Sequence, residues 1–256
     1  MKIVRFFDKN NAIHYGWVFE DQVGEIEGDI FTEYRRLELK YNLASTRLDC
    51  PIIPSKIICL ARNYAAHATE QNVAVPEIPM IFLKPPSSIL PDRGTIELPP
   101  QSKQVEHEAE LAVVIGKQGR WIKPEEVRDY ILGYTIANDV TARDLQHKDG
   151  QWGRAKGFDT FCPLGPSIVT DLDTSDILIT CRVNGELRQM ASTKEMVFSI
   201  PQLVAYISSI MTLVPGDIIL TGTPAGVGAL EDGDRVEVEI DGIGILVNQV
   251  KKPVKQ

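Results

Sequence analysis

Residues 105–116 read VEHEAELAVVIG. Glu106, Glu108 and Glu110 alternate and then run straight into an apolar stretch. In an extended chain alternate side chains share one face, and each residue advances the backbone by about 3.3 Å, so the three carboxylates are expected to point the same way. Like charges so placed repel each other. The arrangement is comfortable in open water, as a solvated face, or around a cation, and the rest of the chain has to decide between the two.

The chain has 256 residues, 43% of them apolar, which is enough to fill the core of one large domain or of a domain with a small appendage. The formal charge is −8, and Lys and Arg gather nowhere except in the short tail KKPVK, so nucleic acid is not an expected partner. Lys2, Arg5, Asp8 and Lys9 interrupt the apolar residues of the N-terminus, unlike a signal peptide. No stretch approaches the roughly 20 apolar residues that span a bilayer, so no membrane partner is expected either. Cys50, Cys59, Cys162 and Cys181 are scattered without C-x-x-C spacing. They form neither a disulfide framework nor a zinc motif, and they suit a reducing cytoplasm, the expected location.

Short alternating runs, KIVRFFD, HYGWVFE and QVGEIEG, separated by turn formers, make a small β-rich module of residues 1–54, in which FTEYRRLELKY is expected to be helical. LDCPIIPSK, with Pro51 and Pro54, is the expected boundary. From residue 55 to 256 strand-like runs dominate: KIICLA, MIFL, TIEL, ELAVVIG, YTIAND, DILITCRVNG, DIILTG, RVEVEI and GILVNQV. Helices are expected only at YAAHATEQN, KPEEVRDYIL and SIPQLVAYISSIM. That is no β-α-β-α alternation but a mostly β fold with a few covering helices, of α+β type.

Several polar clusters bear on chemistry. Asp139 ends the strand-like run GYTIAND, where a side chain can project from a sheet rim; with the glutamates it offers hard oxygen ligands of the kind that suit Mg²⁺, Mn²⁺ or Ca²⁺. If YAAHATEQN is helical, His67 and Glu70 are neighbours three residues apart. A carboxylate bonded to one imidazole nitrogen fixes the tautomer and raises the basicity of the other, as a general base requires, although an ordinary surface pair has the same spacing. Arg143 and Gln146 follow Asp139 closely, and Lys156 stands among Gly and aromatic residues; taken singly each is equally an exposed polar residue. LTGTPAGVG follows a strand, and its backbone N–H groups and the hydroxyls of Thr221 and Thr223 offer a place for an anionic group or simply a turn. It is no P-loop and has no G-x-G-x-x-G, and nothing suggests NAD, flavin or ATP.

The order of the motifs is more specific than any one of them. RNYAAHATE, FLKPPSS, EHEAELAVVIG, GYTIANDVTARDLQ, KGFDTFCPLGP, VNGELRQ and LTGTPAGVG succeed one another much as in the fumarylacetoacetate hydrolase family, and the resemblance covers about residues 55 to 250. The resemblance implies a mixed β-sandwich or rolled-sheet catalytic domain behind a variable N-terminal module, a homodimer or larger assembly, and one divalent ion, commonly Mg²⁺, with Mn²⁺ or Ca²⁺ as alternatives. It implies Glu108, Glu110 and Asp139 as metal ligands and His67 with Glu70 as a water-activating dyad. Arg143, Gln146, Lys156 and Lys84 fall near the substrate, and Thr223 matches a contact to its carboxylate. Glu106 has no assigned place and is expected to be solvated or to stand behind the ligands. Ala61 departs from the Gly that many relatives carry.

The function that follows is action on a small 2-oxo acid. The favoured reaction is hydrolysis of an acylpyruvate (a 2,4-dioxo acid) to pyruvate and a carboxylic acid, with His67 as base and Lys156 or Gln146 beside the oxyanion. The same scaffold permits oxaloacetate decarboxylation, or isomerisation or tautomerisation of an unsaturated oxo-dioate, as in 2-hydroxyhepta-2,4-diene-1,7-dioate isomerases. A non-catalytic oxo-acid-binding protein is the competing class, and the retained base argues against it.

Overall fold

The computed structural model describes residues 1–253. Its spine is a 12-stranded sheet in which the strand Ala109–Ile115 lies between Ile131–Asn138 and Ile218–Leu220. Every residue of Ala109–Ile115 is buried. Leu111, Val113 and Ile115 enter one apolar cluster and Ala112 and Val114 another, on the opposite face. That is why the sequence reads as an unbroken apolar run rather than an alternation. On one side the sheet continues through Ile57–Ala61, paired in parallel with Ile218–Leu220, to Met80–Lys84 at its edge. On the other it runs through Cys162–Val169 and Lys2–Phe7 to the N-terminal strands, ending at Tyr34–Asn42.

A five-stranded sheet built on Leu178–Val183, Arg235–Ile240 and Gly244–Lys251 packs against this spine. Ile179, Cys181, Val236, Val238 and Leu246 share a single apolar cluster with Leu111, Val113 and Ile136, so the two sheets form a sandwich around a common core. The helix Ile200–Ile210 closes one side of it, burying Leu203, Val204 and Ile207. Its start is set by a capping box between Ser199 and Gln202. The mostly β expectation with few covering helices describes this molecule.

Local expectations failed in instructive places. Residues 31–41 are not helical: Tyr34–Asn42 is an edge strand in which Leu37, Leu39 and Tyr41 are half-buried between exposed charged neighbours. That is a period of two, carried by residues that individually favour helices. KPEEVRDYIL divides into a 3-10 segment, Pro124–Tyr130, and the start of the strand Ile131–Asn138. CPLGPSIV, dense in Pro and Gly, nonetheless forms the strand Cys162–Val169, hydrogen-bonded on both sides. Burial on both faces outweighs the turn signal there.

All four cysteines are free and buried, and burial raises each thiol's pKa, those of Cys162 and Cys181 to about 12. A thiol reagent at neutral pH should therefore react slowly with native protein and label four groups once denaturant is added; rapid labelling of any cysteine in the native state would contradict this packing.

Candidate active site

The acids sit where two strands change sheets together. Ala109 pairs with Asn138 in the large sheet. One residue further both chains leave it, and Val105–His107 resumes against Thr141–Ala142 in a three-stranded sheet. Glu108 and Asp139 occupy the crossing. The Asp139 N–H donates to the Glu108 carbonyl at 2.8 Å, and the Glu108 N–H donates to Asn138 Oδ1 at 2.9 Å, so neither amide is orphaned by the break. The break also disperses the single acidic face expected of a continuous strand. Glu108, Glu110 and Asp139 converge, each offering an oxygen within 4.8 Å of the others. Glu106 turns away; it is buried rather than solvated, accepting from Arg143 Nε at 2.7 Å and Gln104 Nε2 at 2.6 Å.

Three buried cations answer these acids. Lys156 Nζ donates to Glu108 Oε2 at 2.7 Å and to Asp139 Oδ2 at 2.6 Å. Lys84 Nζ holds the other oxygen of Asp139 at 2.6 Å and the Val140 carbonyl at 3.2 Å. Arg143 spans Glu106 and, at 2.6 Å, Glu108 Oε1, and it also bonds Gln146. Burial tends to neutralise such groups, but pairing opposes it. Burial pushes the Glu108 carboxyl up, and Lys156 and Arg143 more than reverse this, leaving it well below the usual range. Burial opposes the Lys156 charge too, yet Asp139 and Glu108 keep its pKa above the ordinary value.

Glu110 is the exception. Its bond is to the Gly222 N–H at 2.5 Å, no cation pairs with it among the described residues, and burial reinforced by Asp139 and Glu108 raises its pKa well above the usual range. Four buried acidic side chains thus face three buried cations, and Glu110 is the one left without a counter-charge of its own. Three convergent hard oxygens with a charge deficit fit a divalent ion of the Mg²⁺, Mn²⁺ or Ca²⁺ kind. The Lys156 ammonium, astride Glu108 and Asp139, already serves there as a monovalent counterion.

His67 and Glu70 lie on the short helix Ala65–Glu70, as the spacing suggested. Glu70 Oε2 is 3.1 Å from His67 Nδ1, while Gln71 Nε2 is 3.0 Å from His67 Nε2. Both contacts are satisfied when Nδ1 carries the proton and Nε2 keeps its lone pair. The loop after Ile218–Leu220 does bind anionic groups, and they are the protein's own: Gly222 N–H holds Glu110, and Gly226 N–H holds Glu70 Oε1 at 3.0 Å. Gly222 has φ +97, a conformation that favours glycine, and its position packs against Asn63.

Among the expected residues, His67, Glu108, Glu110, Arg143, Gln146, Lys156 and Thr223 line one cavity, while Glu70, Lys84 and Asp139 stand behind its wall. The enclosed part of this cavity holds about 20 Å³, room for a water molecule, and the cavity opens to solvent. Larger surface clefts exist, one of about 960 Å³ beside Pro99, Pro100 and Leu230, but among the described residues they lack such a convergent set. Thr223 donates its hydroxyl proton to the Ala109 carbonyl and accepts from Gln189 Nε2. Gln189, in VNGELRQ, is a residue whose part the sequence left unread. Its carbonyl oxygen lies 3.1 Å from the Ala109 amide and 2.9 Å from His107 Nδ1, and its amide reaches Thr223 and Pro224, pinning the acid-bearing strand to the Thr223 loop. Gln71 and Arg62 were likewise unassigned.

A sequence profile of the fumarylacetoacetate (FAA) hydrolase C-terminal domain matches residues 56–251. The chain belongs to the fumarylacetoacetate hydrolase family. Residues 1–51 match a separate profile, Rv2993c-like, N-terminal. Within the family, the rat mitochondrial oxaloacetate tautomerase Fahd2a is 50% identical over 208 residues, which are 77% of this chain and 66% of that one. The crystal structure of 5-carboxymethyl-2-hydroxymuconate delta-isomerase from Mycobacterium smegmatis superimposes with a TM-score of 0.93 at 46% identity, covering 99% of this chain and all of that one. Fumarylpyruvate hydrolase from Pseudomonas aeruginosa, solved with Mn²⁺ and pyruvate, gives a TM-score of 0.75 at 34% identity over 80% and 91% of the two chains.

Removing a buried counter-charge should be far costlier than removing an exposed one. Lys84→Met is expected to lower stability by about 3–5 kcal/mol in denaturant titrations, whereas Lys123→Met, whose exposed side chain is 3.9 Å from Glu126, should change it by less than about 0.5 kcal/mol.

Proposed function

We propose that the protein is a divalent-metal-dependent enzyme acting on a small 2-oxo acid by proton transfer beside the keto group, as in the tautomerisation or isomerisation of an oxo-dicarboxylate. The observation that carries this reading is the placement of His67 in the wall of the same cavity as Glu108 and Glu110. When bound, the ion supplies Lewis acidity that makes the proton beside a keto group easier to remove and the resulting enolate less costly. Glu108, Glu110 and Asp139 would hold it.

The rest is the work of the chain. Glu70 keeps the proton on His67 Nδ1, so that Nε2 is the atom that accepts a proton, and it stabilises the imidazolium that results. Gln71 must release Nε2 for that transfer. Returning the proton to a different carbon or oxygen completes the reaction without any net hydrolysis. Lys156, Arg143 and Gln146 line the cavity with donors for the substrate's oxygens, and Lys84 keeps Asp139 oriented from behind. Relatives bearing the names tautomerase and isomerase, at 50% and 46% identity, support proton transfer as the first reading.

Hydrolysis of an acylpyruvate, which the sequence favours, stands second. It uses the same base to take a proton from water rather than from carbon, and the similarity to a fumarylpyruvate hydrolase supports it. Decarboxylation of oxaloacetate would need neither water nor base.

The enol absorbance of oxaloacetate and pyruvate release from acetylpyruvate, each followed with added Mg²⁺ or Mn²⁺, separate these reactions. Faster loss of the enol band without pyruvate is the expected result. His67→Asn should lower that rate by about 10²- to 10⁴-fold. Chelation by EDTA should abolish it and added Mn²⁺ restore it. Activity that survives both treatments would sink the assignment.

A further inference from the structure

The cavity contains one cation that the acids do not use. Lys84, Lys156 and Arg143 are each paired with buried carboxylates. Arg62 also lines the cavity, yet its Nε is buried without a hydrogen-bond partner and no carboxylate lies within ion-pair distance among the described residues. Its backbone is held at φ +58, a conformation costing a non-glycine residue about 1–2 kcal/mol, in the tight turn between the strand Ile57–Ala61 and the helix that carries His67. A half-buried arginine with an unbonded, buried Nε–H and no carboxylate beside it is a directional receptor for a carboxylate that enters the cavity.

The surrounding wall indicates where that carboxylate belongs. Leu60, Phe82 and Trp152 line the cavity together with Arg62, the two aromatic rings packing edge to face at 5.1 Å. The wall thus combines acids and their counterions with apolar side chains, Lys156 Nζ lying 5.0 Å over the Phe82 ring, and Arg62 adds a positive charge with no carboxylate beside it. A molecule matching all three has an oxo-acid head, a short carbon chain and a second anionic end.

We propose that Arg62 binds the distal carboxylate of the substrate and so selects 2-oxo dicarboxylates over 2-oxo monocarboxylates of equal length. This rests on the 2-oxo-acid reading above and goes beyond it by assigning the substrate class to one residue. In this assignment Arg62 holds the end of the molecule opposite the keto acid and takes no part in the proton transfer.

The test is binding by titration calorimetry to Mn²⁺-loaded protein, using pairs that differ only in the terminal group: 2-oxoglutarate against 2-oxopentanoate, and 2-oxoadipate against 2-oxohexanoate. The wild-type protein should bind the diacid of at least one pair ten-fold or more tightly than its monoacid. Arg62→Met, which keeps the length of the side chain, should bring that ratio to within about two-fold of one, and Arg62→Lys should recover part of it. Unchanged Mn²⁺ affinity in both variants shows that the acid cluster has stayed intact. Equal wild-type binding of diacid and monoacid, or a ratio that Arg62→Met leaves in place, overturns this inference alone. If none of the four compounds binds, the 2-oxo-acid reading falls and this assignment falls with it.

Discussion

The organisation of this protein depends on a pair of buried ammonium groups set against a cluster of carboxylates. An isolated carboxylate moved from water to a protein interior loses several kcal/mol of solvation, and such groups stay ionised only where counter-charge and hydrogen bonds replace the water. Lys156 does this for Glu108 and Asp139 at once, and Lys84 secures the second oxygen of Asp139. Around this arrangement the chain brings together segments far apart in sequence: the sheet edge bearing Lys84, the crossing at Glu108 and Asp139, and the short helix bearing Lys156. The apolar sandwich makes the interior dry, and the ion pairs make it chemically specific.

A second set of bonds orients the cluster relative to the proposed base. The loop at residues 221–226 touches both, because Gly222 anchors Glu110 and Gly226 anchors Glu70. Gln189 ties that loop to the acid-bearing strand from the other sheet of the sandwich. Each residue of this web is a backbone amide or a neutral side chain, so the charged groups are aligned without adding further charge to the interior.

Much of the core was legible because its strands are apolar runs of ordinary length, and the order of polar motifs pointed to the site before any contact was known. What the linear pattern concealed is physical. Alternation at 106, 108 and 110 implies a common face only if the strand is continuous, and the change of sheet at Glu108 breaks that condition. Tyr34–Asn42 hid its period of two beneath residues with helical propensity, and Cys162–Val169 hid a buried strand beneath Pro and Gly. Gln189 and Arg62 were unreadable for another reason: the importance of one lies in the number of bonds it makes, that of the other in the bonds it lacks. Neither property is written in residue type.

The Lys156 ammonium has a bearing on how such a site would take up metal. Because it already lies between Glu108 and Asp139, the pocket is not a bare set of repelling oxygens that only a dication could hold folded. Loading would be an exchange of counterions, in which an incoming ion would compete with a resident charge on two of its three donors.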